Sequence, residues 1–170
     1  MEAELFLIRH AEALDKSPEI KDLDRQLSPI GLRNSSIQGE LIKKNKILPD
    51  LIVSSNAVRA AYTAHLIAER IGYDTSRIII NDEVYEASVR TLLNVVNQLN
   101  DELNKVFIIG HNPSISYLAE YISKSEIGDI LPGSIVRLKR LTDSWSLVSE
   151  NTCELQSYNY PGETDEINNE

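Results

Sequence analysis

The stretch LFLIRHAEA (residues 5–13) runs four large apolar residues straight into Arg9 and His10. A short, unbroken apolar run bounded by polar residues reads as a strand covered on both faces, and such strands belong to parallel sheets. Its abrupt end in a cation and an imidazole points to a binding edge. In open parallel sheets, ligands sit beyond the carboxyl ends of the strands.

Working outward, residues 51–54, 77–80 and 106–109 are further strand candidates, separated by helical patterns. Ser28 and Pro29 open the first helix, serine as N-cap and proline at the first helical position, with Ile30, Ile37 and Leu41 as its apolar side. Residues 57–71 form an alanine-rich helix closed by Gly72. Ser88 caps a third helix through Val89, Leu92, Val96, Leu99 and Leu103, and Pro113 opens a fourth through Ile115, Leu118, Ala119 and Ile122. After Pro132 and Gly133 the texture changes, and residues 134–141, 145–149 and 152–158 read as tightly joined strands. Alternating strands and helices define an α/β domain with a mainly parallel sheet. The expected boundaries are one domain over residues 1–158 and an acidic tail over 159–170.

Composition narrows the function. At 170 residues, 42% hydrophobic and 25% charged, the chain is built like an ordinary soluble domain. A net charge of −9 argues against a nucleic-acid surface, which needs clustered Lys and Arg. The apolar runs are too short for a membrane span, and the acidic start, Met-Glu-Ala-Glu, does not resemble a targeting segment. A single cysteine, Cys153, excludes an internal disulfide and a multi-cysteine metal site. A cytoplasmic protein is expected.

The strand ends carry the chemistry. Arg9 and His10 follow the first strand; Ser54 and Ser55 end the second, with Arg59 in the next helical turn. Glu86 follows the third strand, and His111 and Asn112 the fourth. Two arginines and one or two imidazole N–H groups make a cage for a tetrahedral dianion. A neutral imidazole aimed at phosphorus can act as nucleophile, and a carboxyl can protonate the leaving atom. No cofactor or metal is required, and two histidines without a third ligand make a poor zinc site. Each residue alone has a plainer reading: Arg9 solvates a strand end, Arg59 is a surface helix residue, Asn112 caps a turn. Glu86 fits catalysis or a favourable helix-dipole contact. The joint placement of all of them at strand ends is what favours chemistry. His65, mid-helix and turned away from Arg59 and Thr63, is expected to play no part, and Cys153 reads as a core residue.

LFLIRHAEA, SSNAVRAAYTA and VFIIGHNPSIS resemble, in order, the three main motifs of the histidine phosphatase (phosphoglycerate mutase-like) superfamily. The resemblance reaches to about Tyr158. It implies a three-layer α/β/α sandwich, no cofactor, and a transient phosphohistidine on His10, with Arg9, Arg59 and His111 holding the phosphoryl group. Ser54 and Asn112 are further candidates for substrate binding, and Glu86 occupies the position of a proton donor. Ala11 after the Arg-His pair, the GHNP ending, and DLDRQLSPIG resemble the small SixA-type phosphohistidine phosphatases, with Gln26 and Asn56 standing where prolines are usual. Only one helix separates Glu86 from the fourth strand, so no long insertion covers the pocket. The expected substrate is therefore phosphohistidine on a protein, releasing inorganic phosphate. A small phosphate ester is the alternative, and a non-catalytic phosphate-binding module is the alternative of another class. If His10 is the nucleophile, activity should fall as acid protonates it.

Overall fold

The computed structural model describes residues 2–162. Its sheet has six strands in the order β3-β2-β4-β1-β5-β6, formed by β1 (Glu4–Arg9), β2 (Leu51–Ser54), β3 (Ile79–Ile80), β4 (Lys105–Gly110), β5 (Ile135–Arg140) and β6 (Cys153–Asn159). The first four are mutually parallel, while β5 runs antiparallel to β1 and to β6.

The apolar runs follow from two-sided burial. Alternate side chains of a strand point to opposite faces. Leu5 and Leu7 of β1 and Val106 and Ile108 of β4 enter the core beneath α3 (Val89–Asn97) and α4 (Ser114–Ser123). Phe6, Ile8, Phe107 and Ile109 enter the other, beneath α1 (Pro29–Lys44) and α2 (Val58–Ile71). All eight are fully buried, each worth about 1.5–3 kcal/mol relative to exposure. The result is the expected three-layer α/β/α sandwich. No helix among the described residues is long and apolar enough to cross a membrane.

The helix ends follow local chemistry. Ser28 accepts from the Gly31 amide and Ser88 from the Thr91 amide, while Gly72 closes α2 at φ 74°. The face that α1 buries differs from the sequence expectation. Ile30 and Ile37 are exposed; Gly31, Ser35, Gln38, Gly39 and Ile42 face inward. Close approach is the reason. A Cβ on Gly31 would lie 2.0 Å from the Glu12 carbonyl oxygen, and one on Gly39 would lie 2.6 Å from Arg70 Cβ. Small residues let α1 press against α2 and clamp the loop that follows His10.

Three other expectations are corrected. The third strand spans only Ile79–Ile80, because Asp74 caps a 3-10 turn over Thr75–Arg77. Residues 145–149 are not a strand. Trp145–Leu147 is a 3-10 turn held by Ser144 and Asp101, and the buried Trp145 indole donates to the Leu103 carbonyl at 3.0 Å. Helix α3 ends at Asn97, so Leu99 and Leu103 pack on the core from beyond it. At the C-terminal side β6 continues through Asn159, whose carbonyl accepts from Gln38 at 3.3 Å. Residues 163–170 of the acidic tail lie outside the described residues.

Candidate active site

Strand register brings the key side chains together. Arg9 of β1 pairs with Gly110 of β4, so His10 and His111 leave adjacent strands at the same level. Their rings stand 5.0 Å apart, centroid to centroid. Arg59 arrives from the first turn of α2, just beyond β2. These residues, with Arg9, Glu86 and Asn112, line one open cavity of about 360 Å³ beyond the carboxyl ends of the parallel strands. A cavity of equal volume between α1 and Arg70 of α2 contains no histidine.

His10 is held in one tautomer. Its Nδ1 lies 2.7 Å from the Ala11 carbonyl oxygen, which can only accept, so Nδ1 carries the proton. The lone pair is then on Nε2, where Arg59 Nε donates at 3.3 Å. Burial is the largest influence on this imidazole and pushes it down to about 3. The Ala11 carbonyl opposes that shift, while His111, Arg59 and Arg9 reinforce it. Burial, followed by the Arg59 charge, takes His111 down to about 4. Both rings are therefore neutral at pH 7.

The cations are braced from behind. Arg9 Nη1 donates to the Ile130 carbonyl at 2.6 Å, and its Nε is buried without a partner. Arg59 is 5% exposed, and Asp22 holds it at two points: Nη1 to the backbone carbonyl at 2.6 Å and Nη2 to Oδ2 at 2.9 Å. The Tyr85 hydroxyl also donates to Asp22 Oδ2 at 2.9 Å, and Arg25 reaches Oδ1 at 3.2 Å. Burial works against the Asp22 carboxylate, yet the donors from Tyr85 and Arg59, with the charges of Arg59 and Arg25, bring it down to about 2. Sequence reasoning missed Asp22 and Tyr85 as parts of this site. Asp22 lies within DLDRQLSPIG, and Tyr85 immediately precedes Glu86, so both stood beside segments already singled out.

The remaining candidates separate. Glu86 is exposed on the cavity wall, at φ 52°. Asn112 lines the cavity, but its amide is engaged: Nδ2 donates to Asp129 and to the Ile130 carbonyl, and Oδ1 accepts from Ser116. Ser54 is fully buried and donates to the Ser55 carbonyl at 2.9 Å, so its hydroxyl is turned away from the cavity. Ser55 instead reaches the site, with Oγ 2.8 Å from His111 Nε2. His65 is half-exposed beside Glu69 and Tyr62, remote from this cluster. The Cys153 thiol is buried and pushed up to about 11, which suits a core position.

A neutral imidazole lone pair, two guanidiniums and a second imidazole around one cavity are a set chemically able to hold and attack a phosphoryl group. In agreement, the pattern of the family described as histidine phosphatase superfamily (branch 1) matches residues 5–92, and the chain belongs to that superfamily. By class it is a phosphatase, a hydrolase. Among its relatives is an uncharacterized protein of Mycobacterium tuberculosis (strain H37Rv), 26% identical over 164 residues, covering 91% of this chain and 99% of that protein. The fold is shared with SixA from Agrobacterium tumefaciens, at TM-score 0.80 and 24% identity, covering 95% of this chain and 99% of the other. It is shared also with the protein histidine phosphatase SixA complexed with tungstate, at TM-score 0.79 and 19% identity over 93% and 97% of the two chains.

Proposed function

We propose that this protein removes phosphate from phosphohistidine on a partner protein, through a phosphohistidine formed on its own His10. One observation carries the reading: the Nδ1 bond to Ala11 puts the His10 lone pair on Nε2, beside the Arg59 Nε–H and in the cavity that Arg9 also lines. In the first step Nε2 bonds to phosphorus while the substrate P–N bond breaks. The departing imidazole leaves as a neutral ring, keeping the proton that its other nitrogen already carries in the protonated substrate. Water then attacks phosphorus, the bond to Nε2 breaks, and inorganic phosphate is released. The guanidiniums and the His111 ring stabilise charge on the phosphoryl oxygens in both transition states. Tungstate, bound in one structural relative, is a tetrahedral oxyanion of the same kind.

Substrate size follows from the cavity mouth. The chain between Glu86 and β4 contains α3 and short turns, with no inserted segment to close over a small molecule. An open cleft admits a phosphorylated side chain projecting from a protein surface. Glu86 favours a second reading, a phosphatase of small esters, because its carboxyl stands on the cavity wall where an alkoxide would need a proton. A panel of phosphohistidine peptide, sugar phosphates and an aryl phosphate separates the two. The peptide is expected to give the highest kcat/KM; no turnover of it would overturn the first reading.

The pH profile also tests the nucleophile. The reactive form of His10 is neutral, and burial lowers its protonation to about 3, so most molecules stay competent well below neutrality. The acid loss expected from sequence therefore moves to lower pH. With an aryl phosphate as substrate, and after allowance for that ester's own ionisation near about pH 6, kcat/KM should hold level from pH 8 to about pH 5 and fall only below that. An enzyme-derived acid limb near an ordinary imidazole value of about 6.5 would contradict a buried neutral His10.

A further inference from the structure

The His111 ring raises a question of proton placement. Its Nε2 lies 2.8 Å from Ser55 Oγ, and its Nδ1 is buried without a partner. Either atom of the Nε2–Oγ pair is able to supply the hydrogen. Counting donors decides between the two arrangements.

Ser55 is fully buried, and its Oγ already accepts the Ala57 amide at 3.1 Å. If His111 Nε2–H donated to Oγ, the serine proton would have no acceptor and the Nδ1 lone pair no donor. Two buried polar groups would be left unsatisfied, each carrying its full desolvation penalty. If Ser55 O–H donates to Nε2, one group alone remains, the Nδ1–H. That donor belongs to a ring that lines the cavity together with Arg9 and Arg59, and an oxyanion bound beside the ring would supply its acceptor. The reverse tautomer would present a lone pair to an anion and repel it.

We propose that Ser55 is a positioning residue, whose hydroxyl fixes His111 as the Nδ1–H tautomer and so makes it a hydrogen-bond donor to the bound phosphoryl group. The serine sits where β2 ends, anchored by its own amide to the Ile109 carbonyl at 3.0 Å and by its Oγ contact with the Ala57 amide. Its hydroxyl is therefore aimed before any ligand arrives. Burial keeps the His111 ring neutral, so it carries a single proton and the Ser55 contact decides which nitrogen holds it.

The functional half of this inference rests on the phosphatase reading, whereas the tautomer does not, and the measurements separate them. Nitrogen-15 NMR of the three histidines in the ligand-free wild type should show His111 protonated at Nδ1 and pyridine-like at Nε2. A proton on Nε2 overturns the proposal. Ser55→Ala should turn the His111 signals into a tautomer mixture and lower kcat/KM by about ten- to a hundredfold, the range seen when a partner orienting a functional histidine is lost. Unchanged His111 signals in Ser55→Ala would overturn it too, even with activity reduced, since the loss would then be merely structural. If the wild type shows the expected tautomer but cleaves no substrate, the phosphatase reading fails and the tautomer assignment stands.

Discussion

His10→Ala should abolish turnover on every substrate that the wild type cleaves. On the proposed mechanism the replacement removes the attacking Nε2 and leaves Arg9, Arg59 and His111 in place. Neither His111 nor Glu86 is able to substitute. The His111 Nε2 is engaged by Ser55, and Glu86 is exposed to water on the cavity wall. Loss of a covalent nucleophile commonly costs more than about 10⁴-fold in kcat. The variant should still fold, because the His10 side chain makes two hydrogen bonds among the described residues, to the neighbouring Ala11 carbonyl and from Arg59, besides its ring contact with His111. Retained thermal stability would establish that. The companion measurement is trapping with radiolabelled substrate followed by quenching in alkali, which preserves phosphohistidine. Label should remain on the wild type and be absent from His10→Ala. Turnover by the variant at a tenth of the wild-type rate or more would exclude His10 as nucleophile.

The layout of this site was legible because its signals are local and repeated. A buried strand followed directly by polar residues marks the binding edge, and that pattern occurs at both β1 and β4. Arg9, His10, Arg59 and His111 could therefore be grouped before any distance was known. The groups that brace them carry no such mark. Asp22 sits in a short 3-10 turn between β1 and α1, and its role depends on how far α1 lets that loop approach α2. The close packing of α1 rests on Gly31 against Glu12 and Gly39 against Arg70, residues without side chains and hence without hydrophobic periodicity. The same omission explains the misread face of α1. Ile30 and Ile37 looked like a core stripe, whereas the intimate contact selected glycine, serine and glutamine.

Ser54 and Ser55 show a second limit. Ser54 closes β2 and Ser55 follows it directly, and successive residues along an extended chain face opposite ways. Sequence supplies the pair but not the phase, and the phase gives the site to Ser55. Trp145 was misplaced for another reason: its aromatic, strand-favouring context is overridden by Asp101, which binds the Trp145 amide and the Ser144 hydroxyl and imposes a turn.

Arg59→Ala should produce the second largest loss. In the proposed mechanism this guanidinium has two tasks, carried by separate groups. Its Nε–H lies at the His10 lone pair, where a transferred phosphoryl would insert, and its two terminal nitrogens are held by Asp22. Removing a fixed donor from a developing oxyanion typically costs about 10²–10³ in kcat. Here a further penalty follows, because Asp22 would lose its main counter-charge beside the cavity and would repel a dianion. Arg59→Lys should recover only part of the rate, since a lysine ammonium is a point charge without the fork that spans Asp22 and phosphate. The pH profile offers a second readout. Arg59 is one of the charges that hold His10 neutral, so its removal should raise the acid limb. The rise should be partial, because burial is the larger cause. Kinetics of wild type, Arg59→Ala and Arg59→Lys from pH 4 to 8 test both effects. An Arg59→Ala enzyme within about threefold of wild type would mean that the clamp around the phosphoryl group is built by Arg9 and His111 alone.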